Sequence, residues 1–153
     1  MRNVTLRCQV VCLLAVSVFC AQSMVAQESP SAAKRCSDAT LWGSFGYTST
    51  GTLLESYVPP PFAGPFGETG RQTFDGKGKT NATATVSSNG NISTVGINGT
   101  YTVNSDCTGS MTLNIPDFDA TVHANFVIDD SARELRSIGT DSGVIETRVY
   151  KKQ

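Results

Sequence analysis

The chain has 153 residues with 12 basic side chains, 13 acidic ones and a single histidine; its net charge of −1 excludes the basic stripe that nucleic-acid binding needs. Thr, Ser and Gly are abundant, whereas Leu, Glu and Lys are sparse for a helical protein, a mixture that favours strands and tight turns over helices.

Arg2 and Arg7 precede an apolar run, Val10 to Ala21 (VVCLLAVSVFCA). About a dozen residues suit the core of a signal peptide and fall short of the roughly 20 that a membrane span requires. Small residues follow, so cleavage is expected near Ser23 to Ala26. Residues 1–26 are therefore predicted to be a signal peptide and the mature protein to be secreted or periplasmic. Acylation at Cys20 is disfavoured by Phe19, where a lipoprotein motif wants Gly or Ala. Removing Arg2 and Arg7 leaves ten basic side chains against 13 acidic ones, enough imbalance for solubility, and no later segment is apolar enough for a stable membrane span. Three of the five cysteines, Cys8, Cys12 and Cys20, go with the signal. In an exported domain the remaining pair, Cys36 and Cys107, predicts one disulfide. It would close a loop of about 70 residues, contributing about 4 kcal/mol by restricting the unfolded chain. Two Cys and one distant His cannot complete a zinc site unaided, and no cofactor motif is present.

Residues 27–40 read as a flexible polar leader and 41–153 as one domain. The first predicted strand is Leu41 to Thr50. An irregular stretch, Gly51 to Pro65, follows; its Pro59-Pro60-Pro61 and Pro65 are expected to keep it out of the sheet. Phe66 to Phe74 is the second strand, and Asp75-Gly76 starts a hairpin. Lys79 to Ser88 alternates Ala82, Ala84 and Val86 with Thr83, Thr85 and Ser87, and Asn89-Gly90 is a strong hairpin turn because both residues tolerate positive φ. The fourth strand, Asn91 to Val103, is expected to bend or bulge at Gly96 and Gly99. Ser110 to Ile115, Ala120 to Ile128, Glu134 to Gly139 and Val144 to Lys151 complete a set of eight, separated by turns at 104–109, 116–117, 129–131 and 141–143.

Eight consecutive strands on short hairpins predict an all-β, antiparallel up-and-down barrel, since closure removes both sheet edges; the alternative, a β-sandwich, would call for long crossover connections. Small lining residues (Gly43, Ala82, Ala84, Val86, Val122 and Ala124) imply either a cavity or packing against large Trp42, Phe45, Tyr47 and Phe126 from opposite walls.

Two strings, Gly99 to Gly109 (GTYTVNSDCTG) and Phe126 to Thr140 (FVIDDSARELRSIGT), resemble a widespread group of small exported bacterial proteins of unassigned function. The same group shares the opening LWGSFGY of Leu41 to Tyr47 and the Phe74-Asp75-Gly76-Lys77-Gly78 hairpin. More distantly, the architecture is similar to calycin-type and allene-oxide-cyclase-like barrels, a likeness that implies an apolar small molecule in the interior and transfers no catalytic residue.

No nucleophile elbow or catalytic triad motif is present. His123 falls opposite the Val122/Ala124/Phe126 face, a solvent-facing position. Glu146, Arg148 and Tyr150 share one face of the last strand: inward they form a polar cluster suited to a carboxylate or an enol-type intermediate, outward an ordinary solvated face. Ile145, Thr147 and Val149 look the more core-like set. Candidate ligand contacts are thus Glu146, Arg148, Tyr150, Tyr47 and Phe126, with no metal site and no cofactor. Asp117/Asp119 and Asp129/Asp130 fit turn aspartates that accept backbone amides. Tyr57, Phe62 and Phe66 are expected either to rim a barrel mouth or to plug one end of the core. The role expected is non-catalytic binding of a small apolar ligand in the barrel; the alternatives are a cyclase or isomerase acting in the interior, and capture of an exported protein by loop 51–65.

Overall fold

Strands rich in Thr and Val leave amides and carbonyls along both edges, and these must find partners. In the computed structural model, which describes residues 35–129 and 131–153, closure meets that need: eight antiparallel strands each pair with the next, and the eighth pairs with the first. They are β1 (Trp42–Leu53), β2 (Gly64–Asp75), β3 (Lys79–Ser88), β4 (Asn91–Val103), β5 (Thr108–Ile115), β6 (Ala120–Ile128), β7 (Glu134–Gly139) and β8 (Val144–Lys152). The expected up-and-down barrel is the observed fold. The predicted signal peptide, residues 1–26, lies outside the described residues, as do Asp130 and the leader before residue 35. Among the described residues no helix is long and apolar enough to cross a membrane.

The Asn89-Gly90 turn is as expected, with φ of 48° and 86°, and it sets Ser88 opposite Asn91. Two expectations give way. The stretch expected to be irregular from Gly51 to Pro65 is so only over 54–63: Gly51, Thr52 and Leu53 end β1, and Gly64 and Pro65 open β2, with Pro65 opposite Thr52. The Pro65 carbonyl accepts from Asn89 N at 2.9 Å, and Pro65 lies opposite the turn residue Asn89, beyond the end of β3, so the missing N–H falls at the edge of the ladder. Nor does β4 bulge: its register with β3 runs unbroken from Lys79↔Thr100 to Ser88↔Asn91. Gly99 serves close approach instead, because a Cβ there would come within 2.1 Å of the Thr112 carbonyl oxygen on β5.

Residues opposite one another share a face, so register settles which side chains point inward. Phe45 and Tyr47 are buried in the interior. Tyr47 faces Tyr150 and Ser49 faces Arg148 across β1 and β8, which carries Glu146, Arg148 and Tyr150 inside with them. The more core-like trio is thereby turned outward; Ile145 is 63% exposed. Trp42, of opposite parity to Phe45, is 66% exposed under the Lys152 ammonium, not one of the interior walls.

The two ends of the barrel differ. At one end, the base, Phe74 packs edge-on against Phe45, Tyr101 and Tyr150, with centroids 5.4, 5.2 and 6.2 Å away. A 3₁₀ turn at Asp38–Thr40 covers this end. The Tyr101 hydroxyl donates to the carbonyls of Leu41 (2.9 Å) and Asp38 (3.1 Å), Val103 N donates to the Asp38 carboxylate, and Cys36 is disulfide-bonded to Cys107. The folded domain thus begins before the boundary at 41, because the final residues of the expected leader are stitched to the base. The other end, the mouth, carries the 54–63 loop, the Asn89-Gly90 turn, a 3₁₀ turn at Pro116–Phe118 and the turn between β7 and β8.

Candidate functional site

Within the mouth lies a cavity of about 530 Å³. Its walls are aliphatic, with Val86 from β3, Val95 and Ile97 from β4, Ile115 from β5 and Val122 from β6. The small residues of β3 and β6 leave room that no facing side chain among the described residues fills, so the interior is packed at the base and hollow at the mouth.

The 54–63 loop completes the rim. Tyr57 N and Val58 N donate to the Leu54 carbonyl, and Phe62 N donates to that of Pro59, folding the segment into two turns. Ser88 Oγ holds the Phe62 carbonyl at 2.8 Å and Asn91 Nδ2 holds that of Pro61 at 2.7 Å. Pinned this way, Tyr57, Val58, Pro59 and Phe62 line the opening together with Phe66. Tyr57, Phe62 and Phe66 are therefore rim residues rather than a plug.

Glu68, Glu146 and Arg148 form the polar floor. Arg148 Nε and Nη2 donate to Glu146 Oε1 at 3.0 and 2.6 Å, and Nη2 also reaches Glu68 Oε2 at 3.2 Å. Ser49 Oγ donates to the same Glu146 oxygen at 2.6 Å, and the Tyr47 hydroxyl donates to Glu68 Oε1. Nη1 of Arg148 has no hydrogen-bond acceptor among the described residues. The guanidinium instead lies against the rings of Tyr47 and Tyr150, with Cζ 4.6 and 5.9 Å from their centroids, a contact that offsets the missing acceptor.

One guanidinium thus serves two largely buried carboxyl groups. Burial pushes the Glu68 carboxyl above the usual range, Glu146 adds to that, and Arg148 and Tyr47 pull the other way. For Arg148, burial alone would weaken the hold on the proton, but Tyr150, Glu68, Glu146 and Tyr47 outweigh it, and the guanidinium keeps its charge. Burial, and then Glu68, raise the Tyr47 phenol, so it remains the donor to Glu68.

Of the five side chains expected to contact a ligand, Glu146 and Arg148 line the cavity. Tyr47 and Tyr150 stand behind them, supporting the guanidinium. Phe126 lies away from the cavity, with its ring over Gly109 on β5. The residue the sequence reading missed is Glu68. A signal existed, for Glu68 shares strand parity with Phe66, Gln72 and Phe74, and a lone acid on such a face is a buried acid in need of a partner. His123 lies outside the barrel, half exposed, with Nδ1 2.7 Å from Asp141 Oδ1. Asp117 accepts from Gly96 N, and Asp129 from Arg133 N and Glu134 N, the part expected of turn aspartates.

The sequence matches no protein family and no curated protein. Similar folds occur among solved structures of designed barrels. A redesigned β-barrel, mFAP1, bound to DFHBI is 19% identical over 75% of this chain and 97% of that one, with a TM-score of 0.53. Another, mFAP0 bound to DFHBI, is 19% identical over 74% and 99%, with a TM-score of 0.50. A third, EF1p2_mFAP2b bound to DFHBI, is 13% identical over 74% and 94%, with a TM-score of 0.52. At these identities the likeness is one of fold.

Proposed function

We propose that this protein binds a small, largely apolar molecule in the mouth cavity and works after export, in the secreted or periplasmic space. The observation that carries the binding reading is the cavity itself: about 530 Å³, aliphatic walls, an aromatic rim, and a few buried polar groups at the closed end. Barrels of similar fold that hold DFHBI lend it support. The apolar run at Val10 to Ala21 and the Cys36–Cys107 bridge support export, and the likeness to small exported bacterial proteins and calycin-type barrels belongs to the same reading.

Nile red, a neutral dye that brightens in apolar surroundings, tests this. Titrated against the protein exported from its full-length chain, it is expected to bind at one site per chain. Val86→Phe, which fills the cavity, is expected to weaken binding about tenfold or more while the fold survives, since the new ring enters empty space. Binding that is indifferent to Val86→Phe would place the dye elsewhere and sink the reading.

One observation favours a second reading, a cyclase or isomerase acting on the bound molecule. Glu68, its proton affinity raised by burial, is hydrogen-bonded to Tyr47 beside an apolar cavity, as a general acid–base group requires. Turnover that persists when Glu68, Glu146 and Arg148 are each made uncharged would eliminate it.

A further inference from the structure

We propose that the molecule taken by this cavity carries a cationic group, an amine or amidine on an apolar body, and that the cation seats against Glu68 and Glu146 at the floor. This rests on the cavity being a ligand site and adds the ligand's charge.

Among the described residues, the charged side chains lining the cavity are Glu68, Glu146, Asp119 and Arg148, three acids against one base. Most of Arg148 is committed: Nε and Nη2 go to Glu146, Nη2 also to Glu68, and the flat face to Tyr47 and Tyr150, with Nη1 the donor that has no acceptor among the described residues. An incoming carboxylate would find Nη1 free but would set a third negative charge beside Glu68 and Glu146 against that single guanidinium, where an unbalanced buried charge is most costly. A cation displaces nothing. Three donors crowd Glu146 Oε1, and none of the three goes to Oε2. Among the described residues each Glu68 oxygen takes a single donor, which leaves each a lone pair to offer.

A floor with one more acid than base has two ways to reach neutrality, a proton or a cationic ligand. Tyr47 on β1 and Arg148, Glu146 and Tyr150 on β8 surround Glu68. Tyr57 on the loop and Asp119 at the mouth are the other titratable groups on the cavity wall, whereas β3 contributes Val86 and Ser88, which do not titrate. Burial already favours a proton on Glu68, so the ligand's cation takes the place that the proton otherwise fills.

Three probes with one body separate the possibilities: 2-naphthylmethylamine, 2-naphthalenemethanol and 2-naphthoate, titrated calorimetrically against the exported protein. At pH 7.5 the amine is expected to bind about tenfold or more tighter than the alcohol, and the acid weakest of the three. Lowering the pH shrinks the amine-to-alcohol ratio as Glu68 takes up its proton. Glu68→Gln is expected to bring that ratio to within about threefold of unity, whereas Glu134→Gln on the outer surface leaves it as it was. Should Glu68→Gln not fold, the pH series reports on the same charge. A naphthoate that binds as tightly as the amine, or a ratio that ignores pH and Glu68→Gln alike, overturns the proposal. Alcohol binding blocked by Val86→Phe but without amine preference removes the cationic ligand and keeps the cavity reading. Failure of all three probes and of Nile red overturns both.

Discussion

The two ends of this barrel are built from the same eight strands and use their interior in opposite ways. At the base Phe45, Phe74, Tyr101 and Tyr150 interlock, and a disulfide and a 3₁₀ turn close the end. At the mouth the inward positions of β3, β4 and β6 hold Val86, Val95 and Val122, too short to meet across the bore, and a loop rims the opening where the base has a cover. The polar cluster around Arg148 marks the border. Stability is concentrated where aromatic rings fill the bore, and that concentration allows the other half to remain open.

Paired substitutions sharpen the contrast most. Phe74→Ala at the base removes a ring from a close-packed centre and is expected to cost about 3–5 kcal/mol in urea-denaturation measurements. Phe62→Ala at the 40%-exposed rim is expected to cost about 1 kcal/mol or less. Equal costs would mean that the mouth is as tightly packed as the base.

At the border, Arg148→Ala leaves Glu68 and Glu146 facing each other without a cation. The expected loss is about 3–5 kcal/mol in the same assay. Glu68→Gln combined with Arg148→Ala is expected to recover part of it; a double variant no better than the single would show that the cluster matters through packing alone.

Replacing Cys36 and Cys107 with Ser releases a link that spans 71 residues and is expected to cost about 2–5 kcal/mol. Hydrogen exchange locates the effect: amides of Val103, Tyr101 and the Asp38–Thr40 turn gain exchange rate, while those around Val86 and Val95 change little. Equal acceleration at both ends would make the two halves one cooperative unit.

The smallest effect is in pH. Glu68 at the floor titrates above its unfolded value, so its stabilising contribution is full below about pH 4.5 and is lost as pH rises through the raised value. Three aspartates at the base run the other way. Amides of Lys79 and Lys77 hold Asp75 low, Thr108 holds Asp106 low, and the Glu134 amide does the same for Asp129. Their contribution is present above about pH 4 and is lost on acidification through their lowered values. Glu68→Gln is expected to flatten the decline on the alkaline side and leave the acid limb in place. A decline that persists unchanged in Glu68→Gln would assign it to another group.

Much of this architecture was legible in the chain. Alternation in 79–88 and 120–128, the Asn89-Gly90 turn and the absence of long crossovers specify local extended structure and its order, because those signals act over two to ten residues. The Cys36–Cys107 pair was legible for a different reason, that no other cysteine remains after the expected signal. What the sequence by itself did not determine was which face of β8 turns inward. Ile145, Thr147 and Val149 are more apolar than Glu146, Arg148 and Tyr150, and local pattern favours the wrong set. Only closure decides it: β8 pairs with β1, Phe45 and Tyr47 must be buried, and opposite residues share a face. Closure also brings Glu68 to Arg148 across 80 residues of sequence and leaves the short side chains of three strands facing an unfilled space. The cavity and its charged floor are properties of side chains meeting across the bore, and no single strand contains them.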